Sequence, residues 1–201
     1  MNLDKEKDLI EDFNLWNNFK EGDEKSFSRI FRLYYSFLYN YGIKLTNDPD
    51  LTKDCIQELF ISLWKNKGNL GNAPSIKFYL LKSLRRKIAR RKSEKNRFSY
   101  PLSEDYEFEI VFSIENVIIS RQLEKEQQEY FLNLLNRLSK RQKEAVYLKF
   151  YQNLTYDEIG EIMNVNYQSI RNYIHQAITI LRKEAKVPEK LLYLLICLEI
   201  G

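Results

Sequence analysis

Residues 155–182, TYDEIGEIMNVNYQSIRNYIHQAITILR, decide the fold of the second half of this chain. Thr155 and Glu158 have the spacing of a capping box, which starts a short helix. After a break of a few residues, Asn166 offers a side-chain oxygen that caps a second, longer helix. A short capped helix, a tight turn and a longer amphipathic helix predict a helix-turn-helix. Two ordinary amphipathic helices of a bundle would share this pattern and are the alternative.

The second helix of this motif has two chemically different faces. Its apolar face repeats at spacings of three and four residues, through Ile170, Ile174, Ala177 and Leu181. Its opposite face carries amide, guanidinium, imidazole and hydroxyl groups, which are the groups that read base edges and phosphates. The candidate DNA-binding residues on this helix are Gln168, Ser169, Arg171, Asn172, His175 and Arg182.

The composition predicts a helical protein. The 201 residues include only six Gly and four Pro, which disfavours a loop-rich β fold, and the length suits one large domain or two small ones. Cys55 and Cys197 are far apart and have no metal-ligand spacing, so we expect a reduced, cytoplasmic setting. The N-terminus has no apolar run of a signal peptide, and the apolar tail 189–200 is too short to cross a bilayer.

The first half of the chain predicts a helical bundle. Residues 24–46 form a helix dense in aromatic residues, with a core stripe at positions 27, 31, 34, 38 and 41. Asp48 and Pro49 then start a helix that runs to about Lys65. One face of that helix suits the core, and the adjacent mixed face suits either a docking surface or plain solvent. Residues 66–75 form a break rich in Gly and Pro.

Residues 76–97, IKFYLLKSLRRKIARRKSEKNR, form the most basic segment, with ten Lys or Arg and a single acid. Apolar residues repeat every four positions, so a helix with a basic surface is predicted. Cations for phosphates, together with Phe78 and Tyr79 for exposed bases, favour nucleic acid as the ligand. A membrane surface is the alternative partner for a basic amphipathic helix.

Residues 98–118 reverse the charge, with five acids and no basic residue between positions 99 and 118. This composition predicts a linker between two domains, 1–97 and 119–201. Since both flanking parts are predicted to be helical, the expected fold class is all-α. The second domain is expected to open with a helix from about Ser120 to Arg137. A capping box at Ser139 and Gln142 starts the next helix, which we expect to continue through Tyr151.

The sequence argues against an enzyme. His175 is the single histidine, it lies on the predicted exposed face of the second helix, and it has no Cys or carboxylate at ligand spacing, so we expect neither a catalytic triad nor a metal site there. No phosphate-binding or dinucleotide-binding glycine motif occurs. Cys55 is expected to be a buried small apolar residue. We therefore expect no catalytic residue, no bound metal, no cofactor and no small-molecule substrate.

Three segments in order resemble the extracytoplasmic-function group of bacterial RNA polymerase sigma factors. Residues 31–64 resemble the start of region 2, with the Asp-x-x-Gln-Glu-x-Phe-x-x-Leu-Trp pattern that begins at Asp54. Residues 75–92 are similar to the promoter-melting helix of the family. Residues 138–183 are similar to the region 4 helix-turn-helix. The crowding of basic residues between Arg85 and Lys92 and the apolar tail depart from the family pattern.

The resemblance implies a sigma factor that binds core RNA polymerase and gives it promoter specificity. Residues of region 2 would bind the polymerase clamp, the basic helix would bind the −10 element, and the helix-turn-helix would read the −35 element. The acidic linker would run through a basic channel of the polymerase. The implied polymerase contacts are Asp54, Gln57, Glu58, Phe60, Ile61 and Trp64. The implied −10 contacts are Lys77, Phe78, Tyr79, Lys82, Arg85, Arg86 and Arg90.

The family commonly acts with an anti-sigma factor, often membrane-bound, which is therefore an expected partner beside the polymerase and promoter DNA. The competing prediction is a stand-alone transcriptional regulator with a helix-turn-helix and an unrelated N-terminal domain. Such a regulator would bind duplex DNA tightly by itself, whereas a sigma factor of this group would need the polymerase. A more distant alternative is a membrane-surface adaptor that uses residues 76–97 and the apolar tail.

Overall fold

The computed structural model of the chain describes residues 3–71, 73, 75–95, 108 and 133–184. The chain divides into two compact units, Met1–Tyr106 and Glu107–Gly201. All regular elements in the described ranges are helical, which agrees with the predicted all-α class. The predicted apolar tail, most of the helix from Ser120 and, apart from Phe108, the predicted linker lie outside the described residues.

The described part of the first unit contains a 3-10 turn at Lys67–Asn69 and four α-helices, two of which begin at polar caps. The four α-helices are α1 (Leu3–Lys20), α2 (Glu24–Thr46), α3 (Pro49–Lys65) and α4 (Ile76–Lys95). The Asp23 carboxylate accepts from the Ser26 hydroxyl and from two amides at the start of α2. These hydrogen bonds lower the pKa of Asp23, and the bond from the Ser26 hydroxyl contributes most. The predicted cap at Asp48 is confirmed, because its carboxylate accepts from the amides of Asp50 and Leu51 at 3.0 Å each.

The core of the first unit lies mainly among α2, α3 and α4, and α1 adds the buried Trp16 and Phe19 to it. Gly42 allows α2 to approach α3 closely, because a Cβ atom there would lie only 2.7 Å from the Thr52 methyl carbon. Cys55 is fully buried, as predicted, and burial raises the pKa of its thiol. Each of α2, α3 and α4 contributes an apolar stripe to this core, which includes Ile30, Leu38, Tyr41, Ile56, Leu59, Leu63, Leu80, Leu84 and Ile88.

The predicted aromatic core stripe of α2 is only partly buried. Leu38 and Tyr41 are enclosed, but Phe31 is 38% exposed, and Phe27 and Tyr34 are half-buried. The difference lies along the helix rather than around it, because all five positions share one narrow face. The enclosed residues lie in the C-terminal half of α2, and the stripe residues of its N-terminal half are exposed or half-buried.

The second unit contains α5 (Lys140–Val146), a π-helical turn at Tyr147–Tyr151, α6 (Tyr156–Met163) and α7 (Tyr167–Glu184). The Ser139 capping box is confirmed, but the helix that it starts changes to π geometry after Val146. Phe108 is 1% exposed and its ring lies 5.7 Å from that of Tyr147. At least one residue of the predicted linker therefore packs into the second unit.

Candidate nucleic-acid and protein interfaces

The helix-turn-helix has the geometry that the sequence predicts. The Glu158 amide donates to the Thr155 hydroxyl at 3.3 Å, and the Thr155 amide donates to the Glu158 carboxylate at 2.8 Å. Asn164 ends α6 in the left-handed conformation with φ of 56°. The Asn166 side chain then accepts from the Ser169 amide at 2.8 Å and caps α7. Local polar contacts thus fix both ends of the turn.

Gly160 permits the tight packing of this turn. A Cβ atom at this position would lie 2.8 Å from the carbonyl oxygen of Val165, which is backbone and cannot move away cheaply. We therefore expect Gly160→Ala to destabilise the second unit by about 1–3 kcal/mol. Urea unfolding followed by far-UV circular dichroism measures this loss.

Gly68→Ala is the matched control, because a Cβ atom at Gly68 meets nothing within 4 Å. We expect that variant to stay within about 0.5 kcal/mol of the unchanged chain. Equal unfolding curves for Gly160→Ala and Gly68→Ala would contradict the tight-turn account.

The predicted DNA-reading stripe of α7 lies on the surface. Gln168, Arg171, Asn172, His175 and Arg182 are exposed, whereas the Ser169 side chain is half-buried. The Gln168 amide donates to the Asn172 oxygen at 3.1 Å, which orders two neighbours on the stripe. The side chains are therefore presented together on one helix face.

Sequence reasoning missed Tyr167, the first residue of α7. Its side chain is 47% exposed and its ring meets that of Tyr156 edge-on at 5.6 Å. The Lys149 ammonium lies 5.1 Å from the Tyr156 ring on the same surface. An aromatic residue directly after the Asn166 cap was the available signal, because the first turn of such a helix lies nearest the DNA.

The opposite side of α7 is fastened to α5. The Arg141 guanidinium donates to the Tyr173 hydroxyl at 3.4 Å, and the Gln142 amide donates to the Gln176 oxygen at 3.1 Å. In the π-helical turn that follows α5, burial raises the pKa of Tyr147 to about 12, although the hydrogen bond from Gln152 opposes that rise. The two bonds from Arg141 and Gln142 thus hold α7 against α5.

The outward face of α4 combines exposed cations with aromatic residues. Arg86 and Arg90 are exposed, and Tyr79 and Lys82 are half-buried. The Lys82 ammonium lies 5.4 Å from the Phe78 ring. This face therefore offers charge for phosphates beside rings that bases can stack on.

Arg85 departs from this arrangement, because its side chain is only 7% exposed. It follows the buried Leu81 by one helical turn and precedes the buried Ile88 by three residues, so it lies at the edge of the core. Little of Arg85 is therefore offered to a ligand in this structure, and its phosphate contact stays a prediction. Lys77 also turns toward α2, where its ammonium lies 5.0 Å from the exposed Phe37 ring.

Trp16 connects α1 to the loop before α4. Its indole N–H donates to the Gly71 carbonyl at 3.0 Å, and its ring lies 5.1 Å from that of Tyr79. The Trp16 side chain is 1% exposed, so this contact belongs to the core. The position of Tyr79 on the outward face of α4 thus depends on a residue 63 positions earlier in the chain.

The predicted protein-binding face of α3 is partly surface and partly core. Asp54, Gln57 and Ile61 are exposed, the last at 46%. Trp64 is half-buried, and the Lys67 ammonium lies 4.1 Å from its ring. These groups form a mixed polar and apolar surface of the kind that protein interfaces use.

Two residues of the predicted polymerase-binding set, Phe60 and Glu58, make contacts with other side chains of the chain itself. Phe60 is 4% exposed and its ring packs against those of Phe27 and Phe31 at 6.0 and 4.8 Å, so it supports the face from below. Glu58 forms ion pairs with Lys87 and Arg91 of α4. The polymerase contact at Phe60 therefore stays a prediction, and in this structure the ring packs under the α3 face.

The described residues contain no group of three or more His, Cys, Asp or Glu side chains that could hold a metal ion. Among the same residues, no helix combines the length and apolar character needed to span a bilayer. The only cysteine in the described ranges, Cys55, is enclosed, and burial raises the pKa of its thiol. The candidate functional sites are the surfaces on α3, α4 and α7.

The chain matches known families in both units. Residues 30–98 match the family model for Sigma-70 region 2, and residues 128–181 match that for Sigma-70, region 4. The ECF RNA polymerase sigma factor SigK of Mycobacterium sp. (strain JLS) is 23% identical over 159 residues, which are 79% of this chain and 82% of the relative.

Solved structures show the same fold. The structure of CnrH in complex with the cytosolic domain of CnrY has a TM-score of 0.56 at 13% identity and covers 86% of this chain and 95% of that chain. The co-crystal structure of the sigma factor RpoE with the anti-sigma factor NepR from Bartonella quintana has a TM-score of 0.57 at 20% identity. That comparison covers 81% of this chain and 98% of the solved chain.

Proposed function

Because the chain belongs to the extracytoplasmic-function group of the sigma-70 family, we propose that it binds core RNA polymerase and directs transcription initiation at promoters whose −10 and −35 elements it reads. The observation that carries this proposal is the presence of regions 2 and 4, in that order, on one chain. The protein has no catalytic role of its own in this account and acts in the bacterial cytoplasm.

In the second unit, α7 enters the major groove of the −35 element. The exposed stripe of Gln168, Arg171, Asn172 and His175 supports this assignment, because these side chains offer donors and acceptors to base edges. Arg182, two to three turns later, contacts a phosphate. The two units are held on one promoter by the polymerase, so α7 need not bind DNA tightly by itself.

In the first unit, α4 binds the −10 element. Melting requires bases to leave the stack, at a cost of a few kcal/mol, and the aromatic rings of Phe78 and Tyr79 offset part of that cost by stacking. Lys82, Arg86 and Arg90 hold the phosphates. The position of these groups on the outward face of α4 supports the assignment.

The exposed part of the α3 face binds the polymerase. Asp54, Gln57, Ile61 and Trp64 offer the mixture of charged, apolar and aromatic groups from which interface hot spots are built. We also assign an anti-sigma factor as a partner. Both solved relatives are complexes, one with the cytosolic domain of CnrY and one with the anti-sigma factor NepR.

In vitro transcription tests the function directly. The purified chain is added to bacterial core polymerase with a library of promoter fragments, and polymerase binding is measured in parallel. We expect initiation at a defined subset of fragments. Polymerase binding without promoter-selective initiation would contradict the proposal. Tight binding of duplex DNA by the chain alone would instead favour a stand-alone regulator.

Arg171→Ala tests the −35 assignment. We expect the holoenzyme to lose about 1–3 kcal/mol of binding to its selected −35 sequence and little on random DNA, because a base contact is removed. Fluorescence anisotropy on both duplexes measures the difference. Arg182→Ala is the comparison variant, since loss of a phosphate contact weakens both duplexes alike. Equal losses on both duplexes for Arg171→Ala would leave that residue with a phosphate role.

A further inference from the structure

Glu58 links the α3 face to the basic helix α4. One carboxylate oxygen lies 3.5 Å from the Lys87 ammonium, and the other pairs with the Arg91 guanidinium. Lys87 and Arg91 are one helical turn apart, so a single carboxylate reaches both. Neither cation belongs to the phosphate-binding set that the sequence predicts.

These ion pairs line a cleft of about 350 Å³ between α3 and α4. Two carboxylates and three cations surround it, and the second carboxylate, Glu94, accepts from the Arg90 guanidinium at 2.9 Å. The side chains of Glu58, Lys87 and Arg91 are 34%, 24% and 45% exposed. Solvent therefore reaches the cluster, and a phosphate that replaced the carboxylate would find two cations already held side by side.

We propose that Glu58 masks Lys87 and Arg91 in the free chain, and that these two cations become further DNA contacts once Glu58 is engaged elsewhere. The inference rests on the proposed function, in which exposed α3 residues on either side of Glu58, among them Gln57 and Ile61, bind the polymerase. Docking then draws the carboxylate toward a donor on the polymerase and leaves both cations to the −10 strand. Polymerase binding and DNA binding are thereby coupled through one side chain.

The strength of the contacts suits such an exchange. Ion pairs that are partly exposed contribute little net stability, because water and salt screen them. A carboxylate in such a pair can therefore change partners without unfolding the helices. Phosphates of a nucleic acid strand compete effectively for the same cations, because binding also releases the counterions of the strand.

Glu58→Gln tests the mask in the free chain, without polymerase. The probe is a fluorescein-labelled oligothymidylate of about 12 nucleotides, which spans one single-strand site. We expect roughly 3- to 10-fold tighter binding than for the unchanged chain at low salt. The dependence of log K on log salt should steepen by about 0.7 for each phosphate gained.

Asp50→Asn is the matched control, because it removes the same charge from the same helix. The Asp50 side chain is 92% exposed, and its carboxylate lies 3.7 Å from Lys53 rather than from a residue of α4. A gain for Glu58→Gln no larger than that for Asp50→Asn would overturn the mask, since the gain would then reflect net charge. Replacing Lys87 and Arg91 by methionine in the Glu58→Gln chain should abolish the gain, and its persistence would also overturn the proposal.

Holoenzyme measurements separate this inference from the proposed function. The affinity for the oligothymidylate is also measured with core polymerase present. Glu58→Gln should reduce the difference in this affinity between the free and the polymerase-bound chain, because Lys87 and Arg91 are already unmasked in the free variant. An undiminished difference would overturn the coupling. The free Glu58→Gln chain could bind the oligothymidylate more tightly while the unchanged protein fails to bind polymerase. That result would support the mask but overturn both the coupling and the proposed function.

Discussion

Replacing Trp16 by alanine is expected to lower the free energy of unfolding of the first unit by about 3–5 kcal/mol. The Trp16 side chain is 1% exposed and packs against Phe19 and Tyr79 at centroid distances of 5.3 and 5.1 Å. The substitution opens a cavity in this aromatic cluster. It also removes the indole N–H that donates to Gly71, so the loop before α4 loses its attachment to α1.

Urea unfolding followed by tryptophan fluorescence measures this loss. The chain has two tryptophans, so Trp64 alone reports the transition in the variant, and it also lies in the first unit. Trp16→Phe separates the loss of packing from the loss of the hydrogen bond. It keeps most of the ring packing and removes only the hydrogen bond, which contributes about 1 kcal/mol.

Phe13→Ala is the control for the Trp16 series, since Phe13 lies on the same helix but is 52% exposed. It should change stability by less than about 0.5 kcal/mol, as surface substitutions usually do. If Trp16→Ala stayed within that range as well, α1 would not be part of the core of the first unit.

The helix boundaries that rest on local polar chemistry were predictable from the sequence. Thr155 with Glu158, Ser139 with Gln142, and Asp48 each act within three residues of themselves, so their bonds form as the sequence indicates. The apolar face of α7 was predictable for the same reason. A period of three and four residues with Ile and Leu on one side leaves a single register.

Long-range contacts were not predictable, because they join residues that no local pattern connects. The bond from Trp16 to Gly71 spans 55 positions, and the Glu58 carboxylate meets Lys87 29 positions later. Arg85 shows a second limit. The predicted apolar repeat of α4 places it beside the core, and only the packing of the neighbouring helices decides that its side chain is enclosed.

The aromatic surface of α2 shows why a hydrophobic stripe and a buried stripe differ. The sequence predicts that Phe31 is core, yet it is 38% exposed, whereas Leu38 and Tyr41 on the same face of α2 are enclosed further along the helix. An apolar side chain that the fold leaves exposed is available to a partner. Phe60 and Ile61 differ in the same way, since Phe60 is buried beneath the α3 face and Ile61 is exposed on it.

Ile61→Glu is expected to weaken binding of core polymerase by at least about 2 kcal/mol, or roughly 30-fold. In the proposed interface Ile61 is the exposed apolar group between the charged residue Asp54 and the aromatic Trp64. A carboxylate at position 61 would have to lose its water on docking without a partner prepared for it, which is costly.

The folded chain should tolerate this substitution. Ile61 is already 46% exposed, and glutamate forms helices at least as well as isoleucine, so the stability of the first unit should change by less than about 1 kcal/mol. Holoenzyme formation is measured with labelled core polymerase, and unfolding is measured on the same preparation. A loss of binding at unchanged stability therefore reports the interface rather than the fold.

Leu33→Glu provides the matched control for Ile61→Glu. Leu33 is 47% exposed, belongs to α2 and lies outside the proposed docking set, so it introduces the same charge at an equally exposed apolar position of the same unit. We expect its polymerase affinity to stay within about twofold of the unchanged chain, since a distant surface charge contributes little. Equal losses for the two variants would mean that the polymerase responds to the net charge of the first unit. Binding by Ile61→Glu as tight as that of Leu33→Glu would remove Ile61 from the docking surface, because a carboxylate buried in the interface without a partner would weaken binding.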